Sequence, residues 1–368
     1  GPRVEVLGPA VTLPPYLGSL MVFDGEHIMA EYTRLWESVR PYGGRLIVGT
    51  PMAGELARAL QKALPAEATV EAATDHVVAS RGRLPATSWW THESSDAART
   101  YFSKDDRVRS PLAVLWYGEG PDYGFFKVHD YGLGHKPIVV AGRVVALQQS
   151  SGTLQVYDAY TGRTQWQKAV NSRQTPLAWV RDGSYEWNWT ATGGYLTRYA
   201  CSDDAVYVAG EGRVQVLDLA SGDERARWDL GDMARDGVPL TVSGILVTDA
   251  WVVLLGRHAV ERSIETGLWD GDIVVVFDRH TGKRLWLRKA QDRFNVKALA
   301  VTGATIICVD SPSPLQTEKW RRRGEGAEET LSTLYALRAS DGTVHWQRQA
   351  AFPHHLYGPG AWTSIRSR

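Results

Sequence analysis

The chain is poor in cysteine, methionine and phenylalanine, with 2, 4 and 7 among its 368 residues. Its two thiols, Cys201 and Cys308, stand far apart inside apolar runs, which excludes a disulfide framework and a Cys-rich metal cluster; both read as buried free thiols. An excess of charge of one sign is also missing. The 41 basic and 41 acidic residues cancel, leaving no global field to hold a nucleic acid. Long apolar runs are lacking as well. The apolar run Ala298 to Val309 is interrupted by Gly303 and falls far short of the ~20 residues a spanning helix needs. Nothing in this composition predicts a membrane span, and it reads as a soluble chain with no compartment marked.

The usual chemical signatures are scarce. There is no Gly-x-Ser-x-Gly elbow and no His-Glu-x-x-His pair. Gly49-Thr-Pro-Met-Ala-Gly54 imitates a phosphate loop, but Glu55 stands where a lysine is required and would repel the phosphates. His27 and Glu31 are one helical turn apart, which predicts a side-chain contact rather than a metal site. His129, Asp130 and His135 share a Gly-rich segment that reads first as a connection between strands. Arg321-Arg322-Arg323 is offset by Glu325, Glu328 and Glu329, so the segment from Ser311 to Thr330 reads as a solvated loop. No metal site is assigned.

Tryptophan is abundant, and its placing is periodic. Asp158, Asp218, Asp278 and Arg338 follow one another at intervals of 60 residues. Each opens a short turn ending in glycine (Gly162, Gly222, Gly282, Gly342), and a strand then returns to Trp166, Trp228, Trp286 or Trp346. Before each turn lies a β-branched run such as Ile273-Val-Val-Val-Phe277. An Asp-x-x-Thr/Ser-Gly turn between two such strands is a hairpin, with Asp at the start of the turn and Gly supplying positive φ. A second pair of apolar runs precedes every hairpin, for example Ile138 to Gly142 with Val144 to Leu147. Four short strands per repeat make a propeller blade. Trp116, after Pro111-Leu-Ala-Val-Leu, occupies the repeated place once more, and Ser88 to Thr100 would open that earlier, partial unit. The expectation is a mainly β protein with four to five visible blades.

The Asp-x-x-Thr-Gly-x-x-x-Trp pattern resembles the PQQ-like β-propeller repeat of quinoprotein dehydrogenases and BamB-type assembly lipoproteins, over about residues 88–350. The second copy departs by two extra residues before Trp228, and the fourth moves its acid to Asp341. Such rings commonly close with about seven or eight blades, so the expectation is either a small ring or part of a larger one. The resemblance to quinoprotein dehydrogenases implies pyrroloquinoline quinone with calcium, yet the vicinal Cys-Cys pair those enzymes carry beside the quinone is missing.

Residues 1–85 follow another rule. Leu20 to Phe23 reads as a strand, Glu26 to Arg40 as an amphipathic helix with Ile28, Tyr32, Leu35, Trp36 and Val39 on one face, and Arg45 to Val48 as a further strand. Val4 to Leu7 reads as a short strand, Ala53 to Leu64 as a second helix, and Val70 to Pro85 as a closing hairpin. Strand–helix alternation predicts a partial α/β, Rossmann-like unit. Val39-Arg-Pro-Tyr-Gly-Gly-Arg-Leu-Ile-Val48 resembles the rear half of class I S-adenosylmethionine-dependent methyltransferases. The whole chain is similar to planctomycete fusions of such a domain to a propeller. No Gly-rich cofactor turn precedes residue 20, so the chain alone is not expected to bind S-adenosylmethionine. The start at Gly1-Pro2 reads as a cleavage scar or a fragment boundary.

The division is therefore 1–85 and 86–368. The leading ligand-surface candidates are Trp187, Trp189, Glu186 and Asn188, where flat indoles could stack on a ligand or peptide and the polar pair orient it; plugging between blades is the competing role. His92, Glu93 and Asp96 form a second polar cluster, read as hydrogen-bonding the start of a blade. The reading that follows is a non-catalytic binding or scaffolding module for a protein or glycan partner, with open blade edges able to self-associate. The alternatives are a quinone- and calcium-dependent oxidoreductase, or a methyltransferase should a longer protein supply the missing half.

Overall fold

A turn that closes on itself begins each hairpin. Asp158 Oδ1 accepts from the backbone N–H groups of Tyr160 (2.9 Å) and Thr161 (3.0 Å), and Gly162 N–H donates back to Asp158 O at 2.9 Å. Asp218 and Asp278 repeat the arrangement with Ala220 and Ser221, and with His280 and Thr281. In the fourth copy Asp341 Oδ1 instead accepts from Thr343 N–H at 2.9 Å, and the Gly342 N–H still reaches Arg338 O at 2.8 Å. The displaced acid braces the same backbone turn from its other side.

The computed structural model describes residues 13–24, 29–112, 114–116, 137–148, 152–170, 198–210, 212–258, 270–312, 320, 322–324 and 331–351. Among these, four antiparallel four-stranded units stand side by side. Blade 1 comprises β5 (Ile138–Val140), β6 (Arg143–Gln148), β7 (Thr153–Asp158) and β8 (Thr164–Ala169). Blade 2 comprises β9 (Arg198–Cys201), β10 (Ala205–Ala209), β11 (Arg213–Asp218) and β12 (Glu224–Asp229). Blade 3 is built from β13 (Thr241–Val247), β14 (Trp251–Arg257), β15 (Asp270–Asp278) and β16 (Arg284–Asn295). Blade 4 has β17 (Ala300–Thr302), β18 (Thr305–Asp310), β19 (Leu331–Arg338) and β20 (Val344–Ala351). Within each blade the strands pair in chain order, and Phe294 opposite Asp310 joins blades 3 and 4 into one hydrogen-bonded path. The expected mainly β propeller is the fold.

Burial explains the order. Every residue of β10 and β13 is buried, so these strands read as unbroken apolar runs, whereas β8 and β12 alternate between exposed and half-buried. The core is cut into slabs between blades. Ile138, Leu154 and Val156 of blade 1 meet Tyr199, Val206 and Leu217 of blade 2. Tyr207 and Val214 meet Leu254, Val275 and Phe277 across the next gap, and Val253 and Val274 meet Ile306, Tyr335 and Leu337 across the third.

At each gap an outer-strand tryptophan seats on the following blade's turn. Trp166 Nε1–H donates to Leu219 O at 3.0 Å and Trp286 Nε1–H to Ala339 O at 2.8 Å. A Cβ placed on Gly222 or Gly342 would come within 2.7 or 2.8 Å of the respective indole, and both glycines have φ above +70°. The socket therefore needs glycine twice, for its backbone and for the room it leaves. Trp228 fits the same scheme despite its two extra residues. Val156 opposes Trp166, but Val216 opposes Ala226 and Trp228 lies one pleat further along, opposite Val214. A shift of two residues keeps the side chain on the same face, and Trp228 covers Gly282 while stacking on Phe277 at 5.5 Å.

Trp116 also seats as expected, donating from Nε1 to Ala159 O at 2.9 Å and lying over Gly162. The rest of that earlier unit differs from the sequence reading, since no strand forms at 114–116, and Ser88 to Thr100 does not open a blade. It crosses the inner strands instead, as described below.

The N-terminal sheet follows the order β1-β2-β4-β3, where β1 is Leu20–Asp24, β2 Gly44–Gly49, β3 Ala68–Ala72 and β4 His76–Arg81. β1 and β2 are parallel and are linked through α1 (Met29–Ser38); α2 (Ala53–Ala63) follows β2, and β4 runs antiparallel to both β2 and β3. Tyr32, Trp36 and Leu60 from the helices bury Leu46, Val48, Val77 and Ala79. The predicted α1 stops at Ser38, with Val39 and Arg40 lying beyond it, and Val4 to Leu7 and Glu26 to Ile28 lie outside the described residues. Arg81 Nη1 donates to Trp36 O (2.7 Å) and Val39 O (2.8 Å), satisfying carbonyls at the helix end.

This sheet docks on blade 1 through few groups. Arg40 forms a buried ion pair with Asp158, the acid of the first turn. Tyr42 covers Gly142, Tyr16 meets Tyr160 edge-on at 5.6 Å, and Trp89 Nε1–H donates to Tyr42 Oη at 2.8 Å.

Candidate functional site

The innermost strands of the four blades are bridged by a single stretch of chain. Trp90 exchanges backbone hydrogen bonds with Val139 of β5 at 2.8 and 2.9 Å. Thr91 O accepts from Cys201 N–H of β9 at 2.9 Å, and His92 Nε2 accepts from Val247 N–H of β13, also at 2.9 Å. Ala97 O accepts from Val301 N–H of β17 at 2.8 Å. Eight consecutive residues thus visit four blades in order, across the line where a propeller has its axis.

His92 is the pivot of this crossing. Its Nε2 must be unprotonated to accept from Val247, which leaves the proton on Nδ1, facing Thr91 Oγ1 at 2.8 Å. Burial, with the Arg99 guanidinium adding to it and Asp96 opposing, pushes its pKa down to about 3. The imidazole is a neutral structural acceptor at the end of β13, and not at the start of an earlier blade as the sequence suggested. Ser95 (φ 82°), Arg99 (φ 56°) and Tyr101 (φ 51°) take left-handed backbone as the segment folds back, and Ser95 Oγ donates to Phe102 O at 2.8 Å.

The charges beside the crossing are mostly positive. Arg198, at the start of β9, donates from Nε to Ser243 O of β13 at 3.1 Å. Burial lowers its pKa; Glu93 opposes that shift, and Arg257 adds to it. Arg99 is lowered by burial in the same way, with Tyr101 and Glu93 opposing. On the far side of Arg257, His258 spans Asp272 Oδ2 (3.0 Å) and Met233 O (2.6 Å).

Among the described residues no three His, Cys, Asp or Glu side chains lie together as a metal would need. Among the described residues the charged groups by the crossing are Arg99, Arg198 and Arg257 against the carboxylates Glu93 and Asp96, a set whose arginines repel a divalent cation and whose carboxylates do not complete its oxygen shell. These residues do not fit a quinone–calcium pair. Cys201 and Cys308 are buried free thiols, as read from the sequence; burial raises both, Cys308 to about 12, so neither is a thiolate at neutral pH. Gly49 to Gly54 leads into α2 with Thr50 Oγ1 accepting from Met52 N–H at 3.2 Å, an ordinary turn. Trp187, Trp189, Glu186 and Asn188, and likewise His129, Asp130 and His135, lie outside the described residues. The crossing segment was missed as such in the sequence, where only the polar run His92 to Asp96 hinted at it.

Residues 127–348 match the family described as outer membrane protein assembly factor BamB, a PQQ-type repeat family. The chain belongs to this family. Comparison with curated proteins gives no match. Among solved structures the chain is similar to BamB from Moraxella catarrhalis, at 17% identity over 58% of this chain and 50% of that one, with a TM-score of 0.34. It is also similar to a quinohemoprotein alcohol dehydrogenase from Pseudomonas putida HK5, at 20% identity over 58% and 34% of the two chains (TM-score 0.40). A europium-containing methanol dehydrogenase matches at 16% identity over 71% and 49% (TM-score 0.45). The chain spans half or less of the length of these structures. No helix among the described residues is long and apolar enough to cross a membrane.

Proposed function

We propose that this chain is a non-catalytic binding or scaffolding module of the PQQ-repeat family, with a protein or glycan partner. The observation that supports it is the crossing of the inner strands by residues 90–97 through Val139, Cys201, Val247 and Val301. A cofactor on the axis would compete with that segment for the same place. The arginines beside it oppose the calcium that a quinone-dependent dehydrogenase would require. Proposed contact residues are Trp187, Trp189, Glu186 and Asn188, on the sequence that leads into Arg198. Self-association through an open blade edge belongs to the same reading.

The N-terminal sheet we propose to be the rear of a methyltransferase-like unit, within a division at 1–85 and 86–368. Its parallel β1–β2 pair, linked through α1, and its closing β3–β4 hairpin support this. Native mass spectrometry of the purified chain with pyrroloquinoline quinone, calcium and S-adenosylmethionine tests both readings. Unliganded protein is expected. Stoichiometric quinone with calcium would replace the scaffold by an oxidoreductase, and bound S-adenosylmethionine would overturn the half-domain.

A further inference from the structure

The junction between the N-terminal sheet and blade 1 gathers hydrogen-bond donors that the protein leaves unused. Arg40 and Arg81 are each only 7% exposed. Arg40 Nε faces Asp158 and its Nη1 donates to Tyr42 O at 3.3 Å, whereas Nη2 is buried with no acceptor among the described residues. Arg81 directs Nη1 at the carbonyls of Trp36 and Val39 and lies over the Tyr16 ring at 5.0 Å; its Nε is buried and likewise without an acceptor. Three phenols complete the group. Tyr42 and Tyr160 both pack on Gly142, and Tyr16 meets Tyr160 edge-on. Tyr42 Oη accepts from Trp89 and Tyr16 Oη from Arg107 Nη2 at 3.5 Å, so each keeps its own O–H to donate, and Tyr160 Oη has no hydrogen-bond partner among the described residues. Burial, then Tyr42 and Tyr16, push the Tyr160 pKa up, so this phenol stays a donor.

Buried guanidinium N–H groups are ordinarily satisfied. Two that are not, beside three phenolic donors, call for an acceptor with several lone pairs and a negative charge. Asp158 cannot be that acceptor, because its Oδ1 is taken by the Tyr160 and Thr161 amides and its Oδ2 by Arg40 and by Gln165 Nε2 at 3.4 Å. We propose that this junction is an oxyanion site, which takes a carboxylate or phosphate group on Arg40, Arg81, Tyr16, Tyr42 and Tyr160. The phenols are half-buried and not sealed in, which gives a small anion access to them. Four of these residues come from the sheet side and Tyr160 from the first turn of blade 1, so a bound group spans the two and tightens their docking. The site is remote from the axial crossing and independent of what the disc binds.

The test is calorimetric titration of the full chain with sodium phosphate, and separately with sodium acetate, at an ionic strength held constant with sodium chloride. One saturable site per chain is expected, and limited proteolysis near residues 82–88 should slow several-fold at saturation. Tyr160→Phe and Tyr16→Phe keep each ring and remove one donor. Each should weaken binding about 10-fold, the loss of one hydrogen bond to a charged group, with blade 1 amide exchange in chloride alone showing that both variants are folded. Tighter binding of phosphate than of acetate names a phosphoryl ligand, and the reverse order a carboxylate. Absence of saturable heat with both salts overturns the proposal, as does binding that survives both substitutions undiminished. Slower proteolysis that persists equally in both variants would also sink it, since that is a general effect of salt and not occupancy of this junction.

Discussion

The propeller and the N-terminal sheet bury their apolar faces by different means. Each blade is too thin to hide its own faces and relies on its neighbour, through the same tryptophan–glycine contact each time. The α/β sheet covers one face with its own helices and leaves the opposite face of β1 exposed, Leu20 and Val22 being 59% and 65% exposed. Serial packing of this sort makes the blades interdependent, as in other repeat proteins. The sheet, held to blade 1 by Arg40, Tyr42 and Tyr16, should instead come away as a unit.

Damage inside a socket should therefore be the worst kind. In Gly282→Val the new side chain meets the Trp228 indole at Nε1 and must also adopt φ +69°. Left-handed backbone costs a β-branched residue at least ~1–2 kcal/mol and overpacking roughly another 1–3. Denaturant unfolding should show blades 2, 3 and 4 all weakened by about 3 kcal/mol or more, with the sheet's amide exchange unaltered. Loss confined to blade 3 would refute serial coupling.

Arg40→Met addresses the other side of the comparison. Removing one member of a buried ion pair leaves the other charge uncompensated, at a cost of about 3 kcal/mol. Because Asp158 also braces the first turn, blade 1 should soften while blades 3 and 4 keep their protection. Limited proteolysis should then open the connection near residues 82–88 before any blade. Simultaneous loss of every blade would show that the sheet is part of the propeller's cooperative unit.

Trp286→Ala should cost about 2–3 kcal/mol, since it empties an occupied socket. Trp346→Ala should cost well under ~1 kcal/mol in thermal unfolding, its indole being 46% exposed. Equal losses would mean that the outer face of blade 4 is already covered.

The crossing segment gives the pH dependence. His92 accepts from Val247 only when neutral, and its pKa is about 3 against 6.5 for an ordinary histidine. The unfolded chain therefore takes up the proton first. Stability from this group is intact above pH 6.5 and declines as pH falls from there toward 3, by at most ~1.4 kcal/mol per unit. His92→Gln, which keeps an acceptor but does not titrate in this range, should flatten that part of the urea-midpoint profile. An unchanged slope would place the acid sensitivity elsewhere.

Much of this was legible because it repeats. Sixty-residue spacing, the Asp-to-Gly turns and the tryptophans disclosed the blades, and a period of two explains why Trp228 tolerates its offset. Trp116 was placed by position alone. The axial crossing was not legible, since Trp90 to Ala97 pairs with four strands that lie about 50 to 200 residues away in sequence, and no local pattern encodes such partners. The N-terminal helix ends were blurred for a simpler reason: the apolar face continues to Val39, while the backbone leaves the helix after Ser38.

The smallest effect isolates what glycine does in each half. Gly54 lies at the second position of α2, and a Cβ there would meet nothing within 4 Å. Its backbone is helical, so alanine adds no strain and removes freedom from the unfolded chain. Gly54→Ala should raise the sheet's own stability by about 0.5 kcal/mol, read from amide exchange in α2, and leave the blades untouched. The same change at Gly282 has the opposite sign because there the missing Cβ is the binding site for Trp228. If Gly54→Ala instead weakened the chain, the exposed turn before α2 would have to be making a contact that its open surroundings do not suggest.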